Sequence, residues 1–191
     1  MRGFLCVISG PSGVGKGTIV KELLKQRNDI ELSISVTTRY MREGEINGKD
    51  YFFINEDEFN KMNKSGKLLE SADVHDNKYG TPKEFVEKKI EEGKIVILEI
   101  DVQGARQIKE NFDNAIYVFV MPPRMKDIED RLRKRGTETE EKIKLRVHNS
   151  IEEFKQITMY DYFLLNDKVD HATERLNKFL DEEREVRKNY D

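Results

Sequence analysis

The stretch VISGPSGVGKGT, Val7 to Thr18, decides how the rest of the chain is read. It places four glycines and one lysine directly behind the apolar run FLCVIS. So many glycines are costly unless the backbone itself has work to do. Gly10, Gly15 and Lys16 stand at the spacing G-x-x-x-x-G-K, with Gly13 between them, and such a loop can turn successive backbone N–H groups inward around an anion. A phosphate-binding loop needs a strand to aim it, glycines to open it and a helix whose N-terminus faces the anion. All three are present, since a helical pattern runs from Lys16 to Arg27. The expected cradle is Gly10, Pro11, Ser12, Gly13, Val14, Gly15, Lys16, Gly17 and Thr18. Lys16 would meet the outer phosphates with a mobile ammonium. The usual pattern asks for Ser or Thr after the lysine, to contact Mg²⁺; this chain has Gly17, then Thr18. Magnesium is therefore expected to be held mainly by nucleotide oxygens and water, with Thr18 helping. This signal reads as handling of a nucleoside triphosphate without fixing the reaction.

A length of 191 residues fits one domain with a substantial core. Hydrophobic and charged residues each make up 37%, as expected of a soluble globular chain. A net charge of −3 argues against a general nucleic-acid coat. The single cysteine, Cys6, cannot form an intramolecular disulfide and reads as a small buried hydrophobe, consistent with a reducing, cytoplasmic setting. FLCVI is too short for a signal-peptide core or a membrane span. No membrane or nucleic-acid partner is expected.

Apolar, β-rich runs recur at FLCVIS, ELSISV, KIVILEI, AIYVFVM and YDYFLLN. Helical patterns separate most of them, at about Pro82 to Glu92, Val102 to Asn111, Lys126 to Lys134, Glu140 to Thr158 and Val169 to Lys188. Parallel strands joined by helical crossovers produce this arrangement. Between Thr37 and Thr81 the pattern changes to short alternating segments with a short helix near EDEFNKM, read as an inserted α+β lobe. The expected division is a core of residues 1–36, 82–125 and 159–191, a lobe of 37–81 and a lid region of 126–158. In KRGTETEEK, Lys134 to Lys142, Gly136 interrupts one helix and Thr137 with Glu140 reads as a capping box for the next. The segment reads as either a helix–helix turn or a mobile lid.

Four further constellations carry chemistry. TTRYMREGEINGKDYFF offers Arg39, Arg42 and Tyr51 in a glycine-broken segment, and guanidinium forks beside a phenol suit a dianionic monophosphate. LLESADVHDNKYGT offers Glu70, Tyr79 and Thr81; a carboxylate near an apolar wall can accept from the N1–H and exocyclic amine of guanine, a donor pair adenine lacks. VILEIDVQG ends a buried strand with Glu99 and Asp101, where α/β sheets gather ligands and acids can order Mg²⁺ water. Arg131, Arg135 and Arg146 flank the suspected lid, and phosphoryl transfer depends on cations that close over the migrating group.

Together these residues resemble the guanylate kinase family. The segments GPSGVGKGT, TTRYMREGEINGKDYFF, NKYGT, LEIDVQGA and RGTETEE occur in that family's order and spacing, from about Phe4 to the C-terminal helix. The resemblance implies a P-loop α/β fold with a five-stranded parallel core sheet, a GMP-binding lobe and a helical lid. It implies ATP as phosphoryl donor with Mg²⁺, and GMP or dGMP as acceptor. Residues Gly10 to Thr18 would hold the ATP phosphates, and Arg39, Arg42, Tyr51 and Tyr79 the GMP phosphate. Ser35, Glu70 and Thr81 match positions that read guanine, and Glu99 and Asp101 match acids near the base and the metal, with Thr18 and Asp101 on the metal side. Lys16, Arg39, Arg135 and Arg146 would carry the catalytic charge; Arg131 matches a further lid-side arginine, and Asn166 falls where the family approaches adenine. Met41 stands where the family often has proline, so the Arg39 to Arg42 loop is expected to be less preorganised, and Thr81 replaces a serine hydroxyl. Two other readings stay open: a catalytically silent protein-binding scaffold of the same fold, and a kinase for another monophosphate. Oligomeric state is not legible.

Overall fold

A computed structural model describes residues 2–74, 77–135 and 139–189. Strand β1 (Phe4–Ser9) is buried at every residue because it is the middle strand of a five-stranded sheet. Its partners are β7 (Ile95–Glu99) on one side and β8 (Ala115–Met121) on the other, both parallel. The edges are β2 (Ile30–Leu32) beside β7 and β9 (Tyr162–Leu165) beside β8. The sheet is parallel throughout, as the strand–helix alternation predicts.

The strand period of two divides β1 between two cores. Phe4, Cys6 and Ile8 pack with Ile19 and Leu23 of α1 (Lys16–Gln26) and Leu176 and Leu180 of α7 (Val169–Lys188). Leu5 and Val7 face the opposite layer, with Val86 and Ile90 of α3 (Lys83–Glu91) and Ala105 and Ile108 of α4 (Val102–Asn111). Burial pushes the Cys6 thiol pKa upward, in keeping with its reading as a core hydrophobe. A third, small cluster of Ile128, Leu132 and Ile143 joins α5 (Met125–Arg135) to α6 (Glu140–Phe154).

A second sheet, ordered β4-β3-β6-β5, forms the inserted lobe. It comprises β3 (Val36–Thr37), β4 (Phe52–Phe53), β5 (Leu68–Val74) and β6 (Asn77–Pro82), with α2 (Glu56–Lys64) packed against it. The side chain of Gln107 on α4 ties this lobe to the core, accepting from the Ser71 N–H and donating to the Ser71 carbonyl, each at 3.0 Å.

Three details differ from the sequence reading. ELSISV is not one strand: after Leu32 the Ser33 N–H makes a last bond to the Ile97 carbonyl at 2.8 Å, and Val36–Thr37 then pairs with β4 and β6 of the other sheet. Leu32, Ile34 and Val36 keep the alternation while the chain changes partners. Helix α6 stops at Phe154, and Ile157–Met159 form a separate 3-10 turn. The N-cap of α6 is Thr139, whose hydroxyl accepts from the Lys142 N–H; Thr137 lies outside the described residues, and Glu140 pairs with Arg133 instead of closing a capping box. No helix among the described residues is long and apolar enough to cross a membrane.

Candidate active site

The loop between β1 and α1 takes positive φ at Gly10 (137°), Gly13 (84°) and Gly15 (102°), values that L-residues with side chains rarely adopt. Gly10 also has no room for a side chain, since a Cβ there would lie 2.4 Å from the Val120 carbonyl oxygen. Gly15 is the N-cap of α1 and supplies no side-chain acceptor. No side-chain cap therefore competes with an anion at this helix start. Lys16 folds back over the loop, donating to the Gly10 carbonyl at 2.6 Å and the Pro11 carbonyl at 3.3 Å. In front of it lies a cleft of about 360 Å³ lined by Ser12, Lys16, Gly17, Thr18, Lys21 and Glu99, among others.

Glu99 explains the departure at position 17. A Cβ on Gly17 would stand 3.2 Å from Glu99 Oε2, so glycine leaves room for this carboxylate at the end of β7. Glu99 is open to the cleft but ringed by protein mass, which raises its pKa while Lys16 and Lys21 pull it back down.

The loop's outer side is braced from elsewhere in the chain. Asn166 Nδ2 and Arg131 Nη1 each donate to the Val14 carbonyl at 2.7 Å, and Arg131 Nη2 donates to the Asn166 carbonyl at 3.0 Å. Arg146 Nη1 donates to Ser12 Oγ at 2.9 Å. The two arginines from α5 and α6 therefore reach the loop itself. The side chain of Arg135 lies outside the described residues, as do residues 136–138 of the segment read as turn or lid. Gly13, Gly15, Thr18, Arg131 and Asn166 also border a second cavity of about 520 Å³ on the α7 side, large enough for the rest of a nucleotide.

The lobe gathers a different kind of site, built from side chains. Arg39 donates through both terminal nitrogens to Glu45, at 2.7 and 3.0 Å, and its guanidinium lies 5.5 Å from the Tyr51 ring centre and 5.6 Å from that of Phe53. Tyr51 and Tyr79 meet edge-to-face at 5.8 Å. Burial raises the Tyr51 phenol pKa, so the group is a neutral hydrogen-bond donor at neutral pH. Arg42 contributes its backbone N–H to Glu45 at 2.7 Å and is itself exposed. Glu70 on β5 is only 7% exposed and accepts from the buried Thr81 hydroxyl on β6 at 2.7 Å. Burial pushes the Glu70 pKa up to about 7, against the opposing Thr81 hydrogen bond and with help from the Asp101 charge. Ser35 is half-buried where the chain crosses between the sheets, its carbonyl held by the Phe52 N–H at 2.9 Å.

Asp101 sits elsewhere than its pairing with Thr18 suggests. Its Oδ1 accepts from the Gly104 N–H at 2.8 Å and caps α4, and it borders a cavity shared with Glu152 and Glu153, not the Thr18 cleft. A Cβ on Gly104 would lie 3.3 Å from Glu70 Oε2 and 3.6 Å from Asp101 Oδ1, so this glycine lets the two acids approach. The carboxylate that shares the cleft with Thr18 is Glu99. Among the described residues no group of three or more acids, histidines or cysteines could hold a metal by itself. Sequence reading missed Lys21, Glu45 and Gly104. Glu45 was visible as an acid in an arginine-rich loop, whereas Gly104 and Lys21 carry no local signal.

A family model described as guanylate kinase matches residues 2–183. The chain belongs to the guanylate kinase family. Guanylate kinase of Caldanaerobacter subterraneus subsp. tengcongensis is 49% identical over 94% of this chain and 87% of its own length. That of Clostridium tetani is 47% identical over 96% and 88%. Among solved structures, guanylate kinase from Anaplasma phagocytophilum superposes with a TM-score of 0.75 at 32% identity, covering 95% of this chain and 86% of its own. Family membership thus agrees with the parallel sheet, the glycine loop and the side-chain-built lobe already described.

Proposed function

We propose that the protein is an ATP:GMP phosphotransferase, moving the γ-phosphoryl group of ATP to GMP, with dGMP as a second acceptor. The observation that carries the acceptor's identity is the buried Glu70 with Thr81 donating to it at 2.7 Å. When ionised, Glu70 can accept from the guanine N1–H and exocyclic amine, while Ser35 and Thr81 supply hydroxyls nearby. The loop from Gly10 to Thr18 holds the ATP phosphates through backbone N–H groups and Lys16. Asn166 and Arg131 fix that loop and border the cavity for the remaining nucleotide. Arg39, Arg42, Tyr51 and Tyr79 hold the GMP phosphate.

Transfer is direct and in line. The acceptor phosphate is already ionised near neutral pH, so no strong base is needed, and positioning with charge neutralisation supplies most of the rate. Lys16 moves from its carbonyl partners onto the phosphates, and Arg146 and Arg135 add positive charge from the lid region as it excludes water. Mg²⁺ accompanying ATP would supply neutralisation of the phosphate charge. An ion that keeps most of its waters needs only one or two protein oxygens, and Thr18 and Glu99 border the cleft suited to it.

The test is ADP release by purified protein with MgATP against GMP, dGMP, AMP, CMP and UMP. Turnover with GMP, weaker with dGMP and negligible with the other three, is expected. Turnover with another base would discard the base-reading residues, and silence with all five would favour a scaffold of the same fold.

A further inference from the structure

Arg39 presents five N–H groups in two usable forks. The fork formed by Nη1 and Nη2 is filled by the Glu45 carboxylate, at 3.0 and 2.7 Å. The other Nη1 hydrogen goes to the Tyr40 carbonyl at 2.7 Å. The remaining hydrogens, on Nε and the outer side of Nη2, form the second fork, and the Tyr79 phenol interacts with this guanidinium as a hydrogen-bonding neighbour. The plane is also held over the Tyr51 and Phe53 rings, and the Arg39 side chain is only 12% exposed. Glu45 is itself fixed, because its Oε2 accepts from the Arg42 N–H at 2.7 Å and so closes the loop from 39 to 45.

We infer that Glu45 is a positioning residue for phosphoryl acceptance: it occupies one fork of Arg39 so that the second fork is held, with Tyr51 and Tyr79, toward the acceptor phosphate. The inference rests on the proposed role of Arg39. A carboxylate on an arginine that is to bind phosphate could instead be a competitor, which the substrate would have to displace. The geometry favours positioning for two reasons. Leaving would break three hydrogen bonds, one to a backbone N–H, and the fork that remains is sufficient for two phosphate oxygens. The Arg39 guanidinium also holds the Glu45 pKa below its ordinary value, so the carboxylate is ionised throughout the working pH range.

The experiment compares initial rates of wild type, Glu45→Gln, Glu45→Asp and the exposed neighbour Glu43→Gln, varying GMP and ATP separately. Loss of one charge-assisted fork should raise KM for GMP about tenfold in Glu45→Gln, with kcat and KM for ATP within about twofold. Glu45→Asp, which keeps the charge on a shorter arm, should fall between, and Glu43→Gln should match wild type. In an Arg39→Ala background, Glu45→Gln should have no further effect. An unchanged KM for GMP in Glu45→Gln overturns the inference, a lowered KM makes Glu45 a competitor, and full additivity with Arg39→Ala places its action elsewhere. A wild type that fails to turn over GMP would remove the functional reading itself, which these outcomes leave standing.

Discussion

The two halves of the proposed site are built to hold phosphate by different means. On the core, the loop from Gly10 to Gly15 uses backbone conformation, with three positive-φ glycines and an uncapped helix start. On the lobe, the grip is made of side chains, Arg39, Tyr51 and Tyr79, ordered by one another and by Glu45. A backbone cradle tolerates little change in its glycines but does not depend on any single contact. A side-chain cluster can be retuned one residue at a time, which suits the half that must choose among bases.

The largest effect that would sharpen this contrast is at Lys16, whose ammonium lies over the backbone cradle. Lys16→Ala should lower kcat by about a thousandfold; near-normal turnover would break the assignment. Arg39→Ala should act on the other half, raising KM for GMP about a hundredfold while KM for ATP stays near wild type. Equal effects on both nucleotides would erase the division between loop and lobe. Gly15→Ala probes the cradle's backbone. A Cβ there would lie 2.5 Å from Asn166 Nδ2 at a φ of 102°, so KM for ATP should rise about tenfold or more, and GMP binding should be unaffected.

The smallest effect is a pH dependence confined to the lobe. With Glu70 at about 7 in the free protein and its ionised form needed to accept from guanine, KM for GMP should rise about tenfold from pH 8 to pH 6. Glu70→Gln should lose that component while keeping the part owed to ionisation of the GMP phosphate. For folding the sign is reversed. A carboxyl whose folded pKa is raised binds more protons folded than unfolded between its ordinary value of 4.5 and about 7, so its contribution to stability falls as pH rises through that window. Glu70→Gln should flatten this part of a plot of melting temperature against pH.

The same contrast governs what the sequence could disclose. The loop was legible because its determinants lie within nine consecutive residues, Gly10 to Thr18, between a strand and a helix that each announce themselves by period. The parallel sheet was legible for the same reason. In the lobe, Glu70 and Thr81 are eleven residues apart and meet only because β5 and β6 pair; the stretch offered both residues, but only the family resemblance gave them a shared role. The change of sheet after Leu32 was hidden because Leu32, Ile34 and Val36 keep one alternation across both sheets. Contacts between distant elements left no local trace either, as with Glu99 beside Gly17 or Gly104 between Glu70 and Asp101.

The most direct test is the ratio of kcat/KM for GMP to that for inosine monophosphate, which lacks the exocyclic amine, in wild type and in Glu70→Gln. Wild type should prefer GMP by about a hundredfold and the variant should lose most of that preference. A preference that survives intact in Glu70→Gln would contradict base reading by the buried carboxylate.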